Sequence, residues 1–315
     1  MNRLTPQESQ LSQDVDTDLR EVFEVLWRGK RLIFFTTLFF SIISIFYALS
    51  LPNIYRSEAL LAPAKKDDNL MSAMQGLSGL AGLAGFSIPE GSASQSDQAL
   101  EVLSSRSFFK DKIFPNINLP DLMADPRWDS KNNTLSYDND LYDSKRKKWV
   151  RSVGFPFKVI PTPQESHDFF INNVFNVNND ITNGFVTVSI DHVSPFVAKD
   201  WAELIINEIN EQFRVRDHQL ALSSITYLNS QIALTNVVEV RQALSELLQN
   251  QMQTSMLTDA NPDYVFSVLD PPVPSELKER PRRSIIVILA TALGSILGAV
   301  YVFIRNYLSR GNESG

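Results

Sequence analysis

Residues 32–51 read LIFFTTLFFSIISIFYALSL, and this run without a charged side chain decides how the rest of the chain must be organised. At about 1.5 Å per residue, a helix of this length crosses the roughly 30 Å hydrocarbon core of a bilayer. Lipid offers no partner to an open backbone, so a spanning segment must be helical. A cleaved signal peptide is the alternative, but the run starts late and no small-residue cleavage site follows it.

A second charge-free run, SIIVILATALGSILGAVYVFI, occupies residues 284–304 and has arginines on both sides. Its length and flanking charges predict a second membrane helix rather than a buried core helix. We therefore expect an amino-terminal tail, a first membrane helix, a large domain, a second membrane helix and a carboxyl-terminal tail. These segments are residues 1–31, 32–51, 52–283, 284–304 and 305–315.

The positive charges predict the orientation of the two spans. Arg28, Lys30 and Arg31 precede the first span, whereas the nearest cation after it is Arg56. The positive-inside rule then places both termini in the cytoplasm and residues 52–283 outside.

Composition excludes several kinds of chemistry. The chain has no cysteine and a net charge of −7, so disulfides and thiol chemistry are excluded and nucleic acid is an improbable partner. It lacks a GxxxxGK[ST] loop, HExxH and GxSxG, and its three histidines have no metal or catalytic spacing. Asp191-His192 is interpreted as a surface turn at a strand end. We therefore predict no catalytic residue, no metal site and no cofactor, and hence no enzyme.

Hydrophobic periodicity predicts an α+β domain between the spans. Alternating or β-rich segments favour strands, and an amphipathic helix with Asp97 as its N-cap is expected over residues 97–114. The predicted strands cover residues 54–63, 155–160, 182–191 and 264–270.

One very long protruding helix is expected from about residue 194 to 257, beginning at Ser194-Pro195. No glycine or proline interrupts it after Pro195, although its apolar register slips between Ile232 and Val237. Roughly 60 residues would form a protruding rod of about 90 Å, a length that leaves room for one break. Such a rod needs a partner for its far face, either a returning helix or another subunit.

Three features near the second span are candidate functional elements. Small residues spaced by four predict a close packing face in lipid, although small residues are also common in membrane helices. The connector before the span is stiffened by prolines, and its cations are candidates for contacts with lipid phosphates or a carrier pyrophosphate, lipid anchoring being the favoured interpretation. The packing face is Ala290, Gly294 and Gly298; the prolines are Pro271, Pro272, Pro274 and Pro281; the cations are Lys278, Arg280, Arg282 and Arg283.

The order of these features resembles the Wzz-type chain-length determinants, the polysaccharide co-polymerases of bacterial O-antigen biosynthesis. The resemblance covers nearly the whole chain. Three stretches carry most of it: DLREVFEVLWRGKRLI near the start, YLNSQIALTNVVEVRQALSELLQNQMQTSML in the long helix, and DYVFSVLDPPVPSELKERPRRSIIVILA leading into the second span. Leu277 stands where many members of the family have another proline, and the glycine-rich segment 76–85 suggests a larger variant.

The resemblance implies an inner-membrane protein with a periplasmic domain that forms a homo-oligomer through its long helices. Such proteins are not enzymes; they set the length of the O-antigen of lipopolysaccharide, which a separate membrane polymerase builds on a lipid carrier. A related class carries a cytoplasmic tyrosine kinase, but residues 305–315 hold no phosphate loop, so we expect at most a kinase partner in trans. A two-span sensor of a periplasmic ligand is the alternative, although neither tail is long enough for an output module.

Overall fold

A computed structural model of the chain describes residues 25–64, 94–180 and 182–312, with side chains only up to residue 306 in the last range. The chain divides into two compact units. We refer to residues 1–53 with 279–315 as the membrane unit and to residues 54–278 as the middle domain. The glycine-rich segment 76–85 lies outside the described residues.

The membrane unit contains helix α1, Lys30–Ser50, and the last helix of the chain, α8, Arg283–Asn312. Both are long and apolar enough to cross a membrane, and they overlap the runs expected at residues 32–51 and 284–304. The two helices are antiparallel, because Gly294 lies against Phe40 whereas Gly298, one turn further, lies against Ile33.

The middle domain is built on an antiparallel sheet with the strand order β6-β7-β1-β8. Tyr55 of β1 faces His192 of β7, and Leu61 faces Val186 at the other end of the pair. Side chains from both central strands are buried, which is why these segments are rich in Val, Ile and Ala. The strands are β1, Ile54–Pro63; β6, Phe175–Asn179; β7, Val186–His192; and β8, Phe266–Asp270, with a short β9, Lys278–Arg280.

Short helices and the first half of a long helix cover the sheet, and large aromatic side chains such as Phe109, Phe170 and Trp201 fill the core. Two small hairpins complete the domain, β2–β3 and β4–β5. The helices are α2, Gln95–Leu103; α3, Arg106–Phe108, continued by a π-helical turn, Phe109–Ile113; α4, Leu119–Met123; and α5, Pro163–Asn173. The hairpin strands are Arg127–Asp129, Thr134–Ser136, Tyr142–Asp143 and Lys148–Trp149.

The long helix is two helices, α6, Pro195–Leu234, and α7, Val238–Ala260. The helical pattern expected over residues 194–257 is thus broken once, because the chain reverses at residues 235–237, and the returning helix is the partner of α6. Arg214 donates to the carbonyl of Thr258 at 3.1 Å, so the end of α7 lies beside the middle of α6. The reversal gives the second half of α6 a partner, and Ala221 and Leu228 become buried. We refer to the second half of α6 with α7 as the helical hairpin.

Two further local expectations are corrected. Residues 155–160 form no strand, since Pro156 has no N–H for a ladder and Arg151 binds the carbonyls of Lys158 and Val159. The N-cap of α2 is Ser94 rather than Asp97, which is the N3 residue of a capping box. The predicted α+β class, with a long helix and with one apolar helix before the domain in the sequence and one after it, is confirmed.

Candidate functional site

The small-residue face of α8 packs against α1 of the same chain. Gly294 and Gly298 are buried, and Ala290 is half-buried. A methyl group added at Gly294 would lie 2.8 Å from Cβ of Phe40. One added at Gly298 would overlap the Thr36 hydroxyl and lie 3.1 Å from Cα of Ile33. The Ile33 atom in this contact belongs to the backbone, which cannot move aside as a side chain can. Gly298 is therefore the position on this face where a larger side chain is least tolerable.

Contacts at both ends extend this helix pair. At one end Gly29 lies so close to Val302 that any side chain at Gly29 would collide with it. At the other end Arg283 donates to Oδ1 of Asn53 at 3.1 Å and to the carbonyl of Leu51 at 3.3 Å. The pair is therefore fixed along its whole length. Sequence reasoning missed Gly29, whose only signal was a glycine within a cationic run.

The four predicted phosphate-binding cations divide into two groups. Arg283 is half-buried and uses its guanidinium on the end of α1. Lys278, Arg280 and Arg282 are exposed, and Arg282 lies 3.9 Å from Glu279. Arg283 therefore holds the pair together, whereas the other three are exposed side chains.

The proline-rich connector is attached to the middle domain. Pro272 is buried, Pro274 is half-buried and Pro271 is exposed; Pro281, in the membrane unit, is half-buried. The hydroxyl of Ser57 in β1 donates to the carbonyl of Val273 at 2.8 Å. The segment is thus an ordered edge of the domain in residues 271–274, and not a free linker.

Polar contacts fasten the base of the helical hairpin. His218 Nδ1 lies 2.9 Å from the hydroxyl of Thr258, next to the bond between Arg214 and the Thr258 carbonyl. The Tyr264 hydroxyl donates to Asp217 at 2.9 Å. Burial, and then this hydrogen bond to the Asp217 carboxylate, raise the pKa of Tyr264 to about 12. These contacts hold α7 and the approach to β8 against α6.

Buried Asn210 connects α6 to β8. Its Oδ1 accepts from the backbone N–H groups of Val265 and Phe266, both at 2.9 Å, and its amide donates to the Phe266 carbonyl at 3.0 Å. These bonds satisfy backbone groups that would otherwise be buried without partners. The only sequence signal for this role was one asparagine in an apolar stripe.

Along both of its helices, the helical hairpin exposes apolar side chains to the surroundings. Thr258 is the one buried residue of α7. Leu234, Val238 and Met256 are 75%, 71% and 67% exposed. Within the described residues these side chains are left exposed, which is a common feature of interaction surfaces.

His192 is a structural residue and not part of a surface turn, so that expectation is corrected. It is buried, the Ser194 N–H donates to its Nδ1 at 3.0 Å, and its Nε2 lies 3.0 Å from the Asp121 carbonyl. These bonds fit a neutral ring that donates through Nε2, and burial lowers the pKa of His192. Neighbouring Asp191 is also buried and forms a two-bond ion pair with Arg56 at 2.6 and 2.9 Å. Among the described residues no group of three His, Cys, Asp or Glu side chains could hold a metal ion.

Two family models match the chain. Residues 15–113 match Wzz, described as "Chain length determinant protein". Residues 228–307, which include α7 and most of α8, match GNVR, described as "G-rich domain on putative tyrosine kinase". None of the curated proteins compared with the chain matches it.

Two solved structures illustrate the similarity. A "full-length bacterial polysaccharide co-polymerase" shares 13% identity, with 91% of this chain and 97% of that chain covered and a TM-score of 0.38. A "Fragment of WzzB, Polysaccharide Co-polymerase from Salmonella Typhimurium" shares 12% identity, with 72% and 100% covered and a TM-score of 0.28. The family models, and not these superpositions, decide the assignment.

An α+β domain between two helices able to span a membrane, with a long helix that returns as a hairpin, defines a class of two-span membrane proteins. Within this class, the chain belongs to the Wzz-type chain-length determinants, the polysaccharide co-polymerases.

Proposed function

We propose that this chain sets the length of the O-antigen polysaccharide of lipopolysaccharide, and that it does so as a homo-oligomer beside a separate membrane polymerase. The carrying observation is the exposed apolar surface of the helical hairpin in a member of the co-polymerase family. Exposed apolar side chains on a protein in water favour association with another copy. The regulator then acts by assembly and not by catalysis.

The membrane unit supports this role by holding the two spans in one arrangement. In lipid, close approach of backbones at small residues is the main source of helix pairing, and Gly294 with Gly298 supplies it here. The proposed location is the bacterial inner membrane, with both termini in the cytoplasm and the middle domain in the periplasm. Arg28, Lys30 and Arg31 before the first span support this orientation.

The exposed cations of the connector have a proposed role at the outer membrane surface. Lys278, Arg280 and Arg282 are accessible and follow the ordered proline segment, so they would meet phosphates of lipid headgroups there. The pyrophosphate of a carrier-linked glycan offers the same chemistry. Arg283 is assigned instead to the helix pair.

The direct test is the electrophoretic pattern of lipopolysaccharide from a strain that lacks this chain. Loss of the regulator is expected to replace a clustered length distribution by a broad one, and the full-length chain supplied from a plasmid should restore the cluster. An unchanged distribution in the deletion strain would contradict the proposal. A complete loss of polymer would indicate a required polymerase subunit rather than a regulator of length.

A further inference from the structure

A cationic pocket lies within the membrane unit, at the end of the helix pair where α1 begins. Its volume is about 330 Å³. Three arginines from two separate segments of the chain, Arg28, Arg31 and Arg305, are among its lining residues. We refer to it as the arginine pocket; its lining is Val25, Arg28, Gly29, Arg31, Leu32, Val302, Arg305 and Asn306.

No carboxylate from the helix pair neutralises these arginines. Residues 25–53 and 283–312 contain no Asp or Glu, so the segments that build the pocket carry only positive charge. Three arginines that line one pocket make it attractive to an anion, although their side chains are exposed to solvent. The described segments of the membrane unit that line the pocket thus supply positive charge and no counter-charge.

The close contact of Gly29 with Val302 creates the pocket. Gly29 ends a short turn in which its N–H binds the Val25 carbonyl at 3.1 Å, and the Leu32 N–H binds the Gly29 carbonyl at 2.9 Å. Because Gly29 has no side chain, this turn can lie directly on α8 beside Val302. Because of this contact, Arg28 and Arg31 lie on the same side of the helix pair as Arg305.

The apolar part of the lining distinguishes this pocket from a site for a small free anion. Val25, Leu32 and Val302 line the same pocket as the three arginines. A lipid headgroup offers the matching combination, because its phosphate is anionic while the adjoining glycerol and acyl carbons are apolar. Basic pockets between membrane helices bind anionic headgroups in this manner, and arginine forks suit phosphate oxygens.

We propose that the arginine pocket binds the phosphate headgroup of an anionic phospholipid, with Arg28, Arg31 and Arg305 as its ligands. The bound lipid neutralises the three charges and joins the start of α1 to the end of the apolar stretch of α8. Lys30 lies in the same cationic run but outside the pocket, with its Nζ over the ring of Trp27 at 4.4 Å from the centroid. Lys30 therefore provides a matched control for general attraction between a basic segment and an anionic surface.

The test uses full-length protein that has been delipidated in a neutral detergent. Dihexanoyl phosphatidylglycerol, dihexanoyl phosphatidylcholine and inorganic phosphate are titrated separately, and bound lipid is counted by native mass spectrometry. The anionic lipid is expected to bind in preference to the zwitterionic lipid. Each of Arg28→Gln, Arg31→Gln and Arg305→Gln should weaken its binding about fivefold, from the usual contribution of one cation near an anionic headgroup. Lys30→Gln should leave the affinity within about twofold of the parent.

Four results would overturn the proposal. They are equal binding of the two lipids, an effect of Lys30→Gln as large as that of Arg31→Gln, competition by inorganic phosphate at concentrations equal to those of the lipid, and binding that appears only after residues 1–24 are removed. The last result would mean that acidic residues of the chain's own tail fill the pocket. Circular dichroism and the elution volume of each variant establish that it is folded, so that a lost affinity reports the pocket.

Discussion

The described residues contain two antiparallel helix pairs, and these pairs are held together in opposite ways. In the membrane unit, α1 and α8 meet at glycines, with Gly294 and Gly298 buried while large apolar side chains such as Phe46 and Leu289 face outward. In the helical hairpin, α6 and α7 meet through Leu228 and the polar contacts of Thr258. The two solvents explain the difference: lipid gives no hydrophobic reason to bury large side chains, whereas water does.

Outward-facing apolar residues therefore have different environments in the two pairs. On α1 and α8 they are satisfied by lipid. On the helical hairpin Leu234, Val238 and Met256 have no such environment, so their exposure in water is unfavourable by roughly 25 cal/mol for each Å² that a partner would cover. Under the proposed function, another copy of the chain would cover these side chains.

The largest effect on chain-length control is expected from a substitution whose added side chain would collide with the backbone of the neighbouring helix. Gly298→Leu would drive its side chain into Ile33 and Thr36, and such overpacking costs on the order of 1–3 kcal/mol or more. We expect α1 and α8 to separate and chain-length control to be lost. The measurement is the lipopolysaccharide ladder of a complemented deletion strain.

Ala292→Leu is the matched control for that substitution, because Ala292 lies on α8 but is exposed. Its ladder should equal the parent's. A parental ladder from Gly298→Leu, in protein that reaches the membrane at normal abundance, would show that close packing at this glycine is dispensable.

A large effect on assembly is expected from polar substitutions on the helical hairpin. Val238→Asn and Met256→Asn change side chains that are 71% and 67% exposed, so the single chain should keep its thermal stability. The oligomer should lose mass because a buried contact between copies becomes polar. Mass photometry of the purified protein measures this, with Gln242→Asn on the exposed surface of α7 as control. An unchanged mass for both Asn variants would place the interface elsewhere.

A moderate effect is expected at the base of the hairpin. Thr258→Val keeps the shape of a buried side chain but removes the hydroxyl that contacts His218 and donates to the Ser255 carbonyl at 2.6 Å. Loss of these bonds is expected to reduce the free energy of unfolding by about 1–2 kcal/mol, seen as a lower Tm. Thr254→Val is the control, because its hydroxyl bonds only within its own helix, to Asn250. Equal Tm values for the two variants would refute the role of the contact with His218.

The smallest expected effect is a pH dependence from His192. Burial lowers its pKa in the folded state below the ordinary value of 6.5, so the unfolded chain takes up the proton more readily. The contribution of His192 to stability is therefore complete above pH 6.5 and is progressively lost as the pH falls below it. The Tm of the solubilised chain should drop less between pH 7.5 and 5.5 in His192→Gln than in the parent. A parallel decline in both proteins would exclude His192 as a source of the pH dependence.

Local patterns in the sequence predicted much of the fold. The charge-free runs located α1 and α8, and alternation located β1 at its observed bounds, Ile54–Pro63. Helix α5 was missed, although Thr162, Pro163 and Glu165 carry the signature of a helix start: the Thr162 hydroxyl accepts from the Glu165 N–H. The hydrophobic periodicity of α5 is weak, so the helix was missed despite these signals at its start.

The reversal between α6 and α7 could not be predicted from breakers, because residues 235–237 contain neither glycine nor proline. The slip of register between Ile232 and Val237 was the available signal, and the turn lies at that slip. Tertiary pairing decides the outcome, since Ala221 and Leu228 gain burial only if α7 returns. The partners of Gly294 and Gly298 on α1 were unreadable for the same reason, because the register between two helices is set by their mutual packing.

The mass of the purified full-length protein tests the central claim most directly. If the helical hairpin is an interface between copies, mass photometry in detergent will show a discrete homo-oligomer at nanomolar concentration. Electron microscopy of the same sample will show closed symmetric particles. A folded monomer under these conditions, from a strain whose lipopolysaccharide ladder the same protein restores, would contradict regulation by assembly.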